Sequence, residues 1–399
     1  MFAYFSLEED TSFSCVQIEN NSVNTVKNKE GILVKQALQN VCESFRIKGT
    51  FFDYEELKVG NINKTYRVAY RQDDGSLKSY IVQKINTNVF KDPVAVMDNI
   101  DRVTEYMRDE APEKPVLHFH HTRDRKTYIF DEDGGFWRLF SFFNSTTYNL
   151  PENPEIVKNA GKAFGEFQMI LGDFDASQLT ETIPDFHNTR KRFEKMEADI
   201  AQDPFGLVKD VQEEIDYILS VKDKACTLVD MLAKGELPLR VTHNDTKINN
   251  VLFEKGGTKA LVVIDLDTVM PGLVAYDFGD AIRFAANKVD EDSPEYEKAG
   301  VNMEMYRAFA KGFLKRTAKV LTENEIKTLA LGCYAITVEQ VTRFLDDYIM
   351  GSTYFKINYP EHNLVRTRCQ AALAKDMEKK LPEMEEIVRH YVDKYKNRV

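Results

Sequence analysis

The chain has 399 residues, 43% of them hydrophobic, with 53 Lys and Arg set against 64 Asp and Glu. That composition excludes a disordered, collagenous or small disulfide-stapled protein and leaves room for more than one hydrophobic core, so two lobes are expected. The formal net charge of −11 argues against the broad basic face that nucleic acid requires, and the longest apolar stretches fall far short of the roughly 20 residues that cross a bilayer. Neither nucleic acid nor membrane is an expected partner. The segment Met1–Asp10 turns acidic at once and lacks a secretory signal's positive start and apolar core. Cys15, Cys42, Cys226, Cys333 and Cys369 are scattered, with no Cys-x-x-Cys pair. Neither a disulfide framework nor a zinc site is suggested, and a reducing cytoplasm is the expected location.

Residues 1 to about 30 have little periodicity, and residues 1–40 are read as an N-terminal extension of unassigned role. Ile32, Leu33, Ala37, Leu38 and Val41 then suit one face of a helix ending near Phe45. Thr65–Tyr70 and Ser79–Gln83 alternate as strands around the turn signal Asp73-Asp-Gly75. Asp92-Pro93 opens a helix with Val94, Met97, Ile100, Val103 and Met107 on one stripe. Thr127–Phe130 and Trp137–Phe142, around Asp133-Gly-Gly135, make a second hairpin. Beyond Asn144 the chain reads mainly as helix, over 155–171, 205–222, 223–234, 303–317, 323–350 and 365–395. One small β insert interrupts it, at Leu239–Thr242, Val251–Phe253 and Ala260–Ile264. The fold class is therefore α+β, with a β-rich first lobe over 41–142 and a mainly helical second lobe over 143–399, suggesting a cleft between them.

The β insert carries the chemistry. His243-Asn-Asp245 is followed by Asn250, five residues beyond the Asp. This is the spacing of a kinase catalytic loop, whose Asp accepts the proton of an attacking hydroxyl while the Asn holds magnesium. Lys247 adds a cation for the phosphates. The second strand of the following hairpin ends in Ile264-Asp265-Leu-Asp267-Thr268, so Asn250, Asp265 and Asp267 offer the hard oxygens that suit Mg²⁺. Asp and Asn at turns also cap helices, and His243 reads better as a structural histidine than as the base.

These segments resemble the kinase-like fold of aminoglycoside phosphotransferases and choline kinases. They are closer still to bacterial N-acetylhexosamine 1-kinases, through Val241–Lys247, Ile264–Thr268, Asp277-Phe-Gly-Asp280, Phe174–Thr182 and Tyr359–Arg366. The resemblance runs from about residue 50 to the C-terminal helix. It implies ATP and Mg²⁺ as cofactors, Asp245 as base, Asn250 and Asp265 as metal ligands, and Gly60-Asn61-Ile-Asn63-Lys-Thr65-Tyr66 as the turn that covers the nucleotide. In the wider kinase pattern a phosphate-binding lysine stands on the second strand of the first hairpin. Here that slot holds Gln83, with Lys84 one residue on and therefore on the opposite face. A hinge near Phe140–Phe143, including Phe142, is the expected adenine site, although core aromatics are also the ordinary use of such phenylalanines.

The acceptor pocket is expected downstream of the metal strand. Arg343-Phe-Leu-Asp-Asp347, then Gly351, Tyr354, Tyr359, His362, Asn363 and Arg366, combine polar forks with aromatics. The same set also suits a solvated helix face and its loop. The resemblance implies sugar contact by Thr268 and Arg343, with Asp347 in the same group, and a small-molecule sugar as partner. Asp277 and Asp280 read as supports for the loop, while His118, His120 and His121 lack a partnering metal-ligand pattern. Two other readings stay open: a kinase for choline, homoserine or another small alcohol, and a non-catalytic nucleotide-binding regulator.

Overall fold

The computed structural model describes residues 23–57 and 63–396, with side chains from residue 31 onward. It divides into two compact units: residues up to Tyr148 together with Glu254–Gly256, and Asn149–Phe253 together with the chain from Gly257. None of the helices described is long and apolar enough to cross a membrane.

The first unit is an antiparallel sheet with a helix on each face. Strands β1 (Thr50–Leu57), β2 (Lys64–Arg71), β3 (Leu77–Ile85), β4 (Tyr128–Phe130) and β5 (Phe136–Ser141) run in the spatial order β1-β2-β3-β5-β4. Both expected hairpins form. Helix α1 (Val23–Glu43) spans the boundary expected at residue 40. Its Leu38, Val41 and Cys42, with Phe45 just beyond, recur at helical spacing and bury against Tyr66, Val68, Tyr70, Tyr80, Val82, Trp137 and Leu139. Each large apolar side chain so covered stabilises the fold by about 1.5–3 kcal/mol, so this stretch belongs to the first core. The rest of the expected extension, residues 1–22, lies outside the described residues. Helix α2 (Pro93–Glu110) starts at Asp92, whose carboxylate accepts from the Ala95 N–H, with Pro93 in the first turn where no N–H is needed. It meets the other face of the sheet at Met97, which Arg138 of β5 contacts. The two-residue strand β6 (Ser145–Thr146) follows.

The second unit is helical around a small β insert. Helices α3 (Pro154–Ile170), α4 (Thr189–Gln202), α5 (Gln212–Ala225) and α6 (Thr227–Ala233) precede strands β7 (Arg240–Thr242), β8 (Val251–Glu254), β9 (Ala260–Val263) and β10 (Met270–Gly272). Helices α7 (Val274–Ala285), α8 (Met303–Thr317), α9 (Glu323–Ile349) and α10 (His362–Lys396) complete it. Glycines allow α7 and α9 to touch backbone to backbone: a Cβ on Gly279 would lie 2.5 Å from the Gly332 carbonyl, and one on Gly332 would strike the Ala275 carbonyl. This packing fixes α7, the helix that supports the loop described next. The sequence reading of 205–222 as one helix is corrected: helix α5 starts at Gln212, because a left-handed Asp203 caps α4 and its carboxylate accepts from the Leu207 N–H.

Candidate active site

Strand pairing sets two connections side by side. β7 pairs with β10 in the register Thr242↔Met270, and β8 pairs with β9 in the register Val251↔Val263. The loop 243–250 therefore lies against the turn 264–269. Direct bonds lock the two together. The Ile264 N–H donates to the Asn250 carbonyl at 2.9 Å, the Thr268 hydroxyl donates to the His243 carbonyl at 2.6 Å, and Asn244 Nδ2 donates to the Thr268 carbonyl at 3.0 Å.

His243 is fully buried and structural in its contacts. Its Nε2 lies 2.8 Å from the Ile264 carbonyl, which can only accept, so the ring donates there and its Nδ1 accepts from the Asp245 N–H at 3.3 Å. Phe164 and Phe167 flank the ring. Asn244 takes the left-handed conformation at φ 62°, which asparagine tolerates better than most residues. Asp277, near the start of α7, steadies that turn: Oδ2 accepts from the His243 N–H at 2.9 Å and Oδ1 from the Asn244 N–H at 2.8 Å. Gln168 of α3 donates to the same carboxylate at 2.9 Å. Burial pushes the Asp277 carboxyl above its ordinary value against the pull of these donors. Asp280 accepts from Arg283 at 2.9 and 3.0 Å.

On this frame, Asp245 Oδ1 lies 3.0 Å from Lys247 Nζ. Asn250 Nδ2 donates to the Asp245 carbonyl at 2.8 Å and to its Oδ2 at 3.2 Å. Burial pushes the Asp245 carboxyl up, but the opposing contributions, led by the charge and hydrogen bond of adjacent Lys247 and joined by the His243 ring, together hold the group below the ordinary carboxylate range. Burial likewise disfavours the Lys247 charge, and Asp245, with Asp280 and Glu291 behind it, more than restores it. The result is an ionised carboxylate with a cation beside it.

Asp265 begins the turn with φ 61° and is half-buried, while Asp267 and Thr268 are buried in the same turn. The Asn250 amide nitrogen is used on Asp245. Asn250, Asp265 and Asp267 are the residues here that could hold a cation, and their side-chain oxygens are of the donor type that suits a small hard divalent one. Elsewhere among the described residues, Asp101, Glu105 and His121 lie close enough to share an ion. They are engaged with one another and with Arg108: His121 lies 3.1 Å from Asp101, and Arg108 lies 2.6 Å from Glu105.

Of the first-unit candidates, Gly60 and Asn61 lie outside the described residues. Asn63 Oδ1 accepts from the Asn86 N–H at 2.9 Å. Thr65 is buried and its hydroxyl accepts from Gln83 Nε2 at 3.0 Å. Gln83 faces α2, together with its cross-strand partner Arg138. Lys84 faces the other way, 3.1 Å from Asp131 and over the Trp137 ring. Phe140 packs on Phe119, and Phe142 lies under the Arg67 guanidinium.

Of the acceptor candidates, Arg343 lies between Phe186 and Phe355, 5.6 and 5.5 Å from the ring centres. The Asp347 carboxylate accepts from the N–H groups of Thr353, Tyr354 and Phe355 at 2.8–2.9 Å and from Asn363 Nδ2 at 2.8 Å, so it holds the loop after α9. Arg366 braces the same loop through Asn363 and the Lys356 carbonyl. The structure adds a pair that sequence reasoning missed. Buried Glu339 lies 2.9 Å from His187 Nδ1, and His187 Nε2 lies 3.1 Å from the carbonyl of Asn244, the residue before Asp245. They are 152 residues apart, so no local pattern announces them.

A sheet unit and a helical unit carrying this loop define a protein-kinase-like phosphotransferase. The model of the Phosphotransferase enzyme family matches residues 53–311, and the chain belongs to that family. Similar solved structures include a microcompartment-associated aminopropanol kinase, with TM-score 0.57 and 14% identity over 89% of this chain and 98% of that one. A spectinomycin phosphotransferase solved with ADP and spectinomycin gives TM-score 0.54 at 11% identity, covering 88% and 98%. A choline kinase from Cryptosporidium parvum gives TM-score 0.51 at 12% identity, covering 91% and 99%.

Proposed function

We propose that the protein transfers the γ-phosphoryl group of ATP to the anomeric hydroxyl of N-acetylglucosamine or N-acetylgalactosamine. The observation that carries the phosphoryl-transfer reading is the loop itself, with Asp245 ionised beside Lys247 and tied to Asn250, next to the Asp265 turn. Asp245 orients the acceptor hydroxyl and takes its proton as the new P–O bond forms and ADP leaves. Lys247 neutralises charge on the phosphates. Asn250 and Asp265, with Asp267, would hold Mg²⁺, whose chemistry when bound is to offset phosphate charge. The choice of an amino sugar rests on the long segments, Val241–Lys247 and Ile264–Thr268 among them, that resemble the 1-kinases.

An amino-alcohol acceptor is the alternative, encouraged by the aminopropanol and choline kinases among the structural neighbours. A cationic acceptor needs free aromatic faces and little positive charge. Arg343 lies over both Phe186 and Phe355, and Arg192, bonded to the Phe186 carbonyl at 3.0 Å, is depressed by burial and by Arg343 nearby. Glu339 offsets part of that charge, but the two ring faces are already covered by the Arg343 guanidinium, which favours a neutral polyol over a cation. The test is ADP release with Mg·ATP across a panel of sugars and small alcohols. N-acetylhexosamines should be turned over fastest. Faster turnover of choline or homoserine would contradict the acceptor, and no ADP release with any acceptor would favour a non-catalytic nucleotide binder.

A further inference from the structure

The peptide that joins Asn244 to Asp245 is held at both of its polar groups. The Asp245 N–H donates to His243 Nδ1 at 3.3 Å, and the Asn244 carbonyl lies 3.1 Å from Nε2 of His187, two residues before helix α4. Because a peptide is planar, fixing both groups fixes the rotation of the unit that carries the Asp245 Cα. The other side of the His187 ring meets a second acceptor: Nδ1 lies 2.9 Å from the Glu339 carboxylate on α9. Glu339 is fully buried, and the Thr189 hydroxyl donates to its other oxygen at 2.7 Å. Burial pushes the Glu339 carboxyl up, but His187, Arg343 of α9 and Arg192 of α4 together hold it below its ordinary value. Phe186 and Tyr276 of α7 pack beside the ring, 4.5 and 5.5 Å from its centre. A neutral imidazole has one N–H, which serves only one of the two acceptors.

We infer that His187 is an imidazolium, paired with Glu339, that positions Asp245 by holding the Asn244 carbonyl. The inference rests on the kinase reading, which gives Asp245 a hydroxyl to meet. Asp277 takes the Asn244 N–H from α7 while His187 takes the Asn244 carbonyl from the approach to α4, so the left-handed residue is gripped from both sides. A displacement of about 1 Å at the reacting groups costs on the order of a hundredfold in rate. The bond that His187 makes is to the residue before Asp245, so its loss falls on kcat and not on nucleotide binding.

The experiment has two arms, both on the full chain. In the first, histidine is labelled with nitrogen-15 and the His187 ring signals are assigned by their absence from His187→Gln. At neutral pH both ring nitrogens should carry a proton. In Glu339→Gln, whose amide can donate to Nδ1, the ring should become the neutral Nε2–H form. A neutral His187 in the intact chain would overturn the inference. The second arm compares turnover with Mg·ATP affinity. His187→Phe should lower kcat about a hundredfold and leave Mg·ATP affinity within a few-fold. His187→Gln, which keeps an N–H for the carbonyl, should recover at least about tenfold of that loss. Unchanged kcat in His187→Phe, or no recovery in a folded His187→Gln, would overturn the role. Should His187→Phe fail to fold, the near-isosteric Glu339→Gln serves. It replaces a charge-assisted bond on the Asn244 carbonyl by a neutral one, so kcat should fall about three- to tenfold, and unchanged kcat would again overturn the role. No ADP release by the intact chain with any acceptor would sink the kinase reading along with the inference. An active enzyme indifferent to these substitutions sinks the inference alone.

Discussion

The Asp277 carboxylate accepts the N–H of Asn244 at 2.8 Å, so a side chain on helix α7 holds the left-handed residue that immediately precedes Asp245, the proposed base. The same carboxylate takes the N–H of His243 and the amide of Gln168. Asp277→Ala leaves these buried donors without their acceptor, at about 1–3 kcal/mol each for groups that find no substitute. We expect a folded but less stable protein whose kcat falls about a hundredfold, with Mg·ATP affinity within a few-fold of the intact chain. Thermal melting and calorimetry check both arms. Unchanged kcat would remove Asp277 from the support of the loop.

Asp245→Ala and Asp265→Ala should both abolish turnover yet separate in binding. Loss of Asp245 removes a group proposed to act on the acceptor proton, so nucleotide affinity should hold. Loss of Asp265 removes a proposed metal ligand and should weaken Mg·ATP. Equal nucleotide affinity in the two variants would contradict the division of roles.

Lys247 helps to keep Asp245 ionised. Because the Asp245 carboxyl is depressed in the folded chain, it stays ionised as pH falls through the ordinary carboxylate value, near about 4. Its contribution to stability is present above that unfolded value and is lost only as pH falls through the lower folded one. Lys247→Met removes the nearest group that opposes burial, so the acid limb of kcat/KM should move up by about one pH unit or more. A limb that stays in place would show that Asp245 is not the group being titrated.

Gly332 lets α9 approach α7 so closely that a Cβ would strike the Ala275 carbonyl, a backbone atom that cannot rotate aside. Gly332→Ala should therefore destabilise by about 1–3 kcal/mol despite alanine's better helix propensity. Chemical denaturation measures it, and a stabilised variant would contradict the close crossing.

Local patterns made part of this legible in sequence. The turns at Asp73–Gly75 and Asp133–Gly135 announce hairpins, and the spacing from His243 to Asn250, followed by a strand ending at Asp265, announces the loop and turn that the structure brings together. Helix α7 escaped although Asp277, Asp280 and Arg283 recur at helical spacing, because it is only 12 residues long, carries the poor helix former Gly279 and buries its polar side as well as its apolar one. Helix α4 escaped because Thr189–Gln202 is largely charged, with Phe193 and Met196 its only large apolar buried residues. Strand β1, Thr50-Phe-Phe-Asp-Tyr-Glu-Glu-Leu57, carries acidic residues that blur the alternation, and a register shift between Phe51 and Asp53 breaks it further. Gln168, His187 and Glu339 reach the loop only through tertiary packing.

Regiochemistry tests the central claim most directly. With N-acetylglucosamine and Mg·ATP, phosphorus NMR of the product should show the sugar 1-phosphate and no 6-phosphate, because the anomeric hydroxyl, more acidic than an ordinary alcohol, is the proposed partner of Asp245. The 1-O-methyl glycoside, which lacks that hydroxyl, should give no product. Phosphate on C6, or turnover of the methyl glycoside, would contradict the 1-kinase reading.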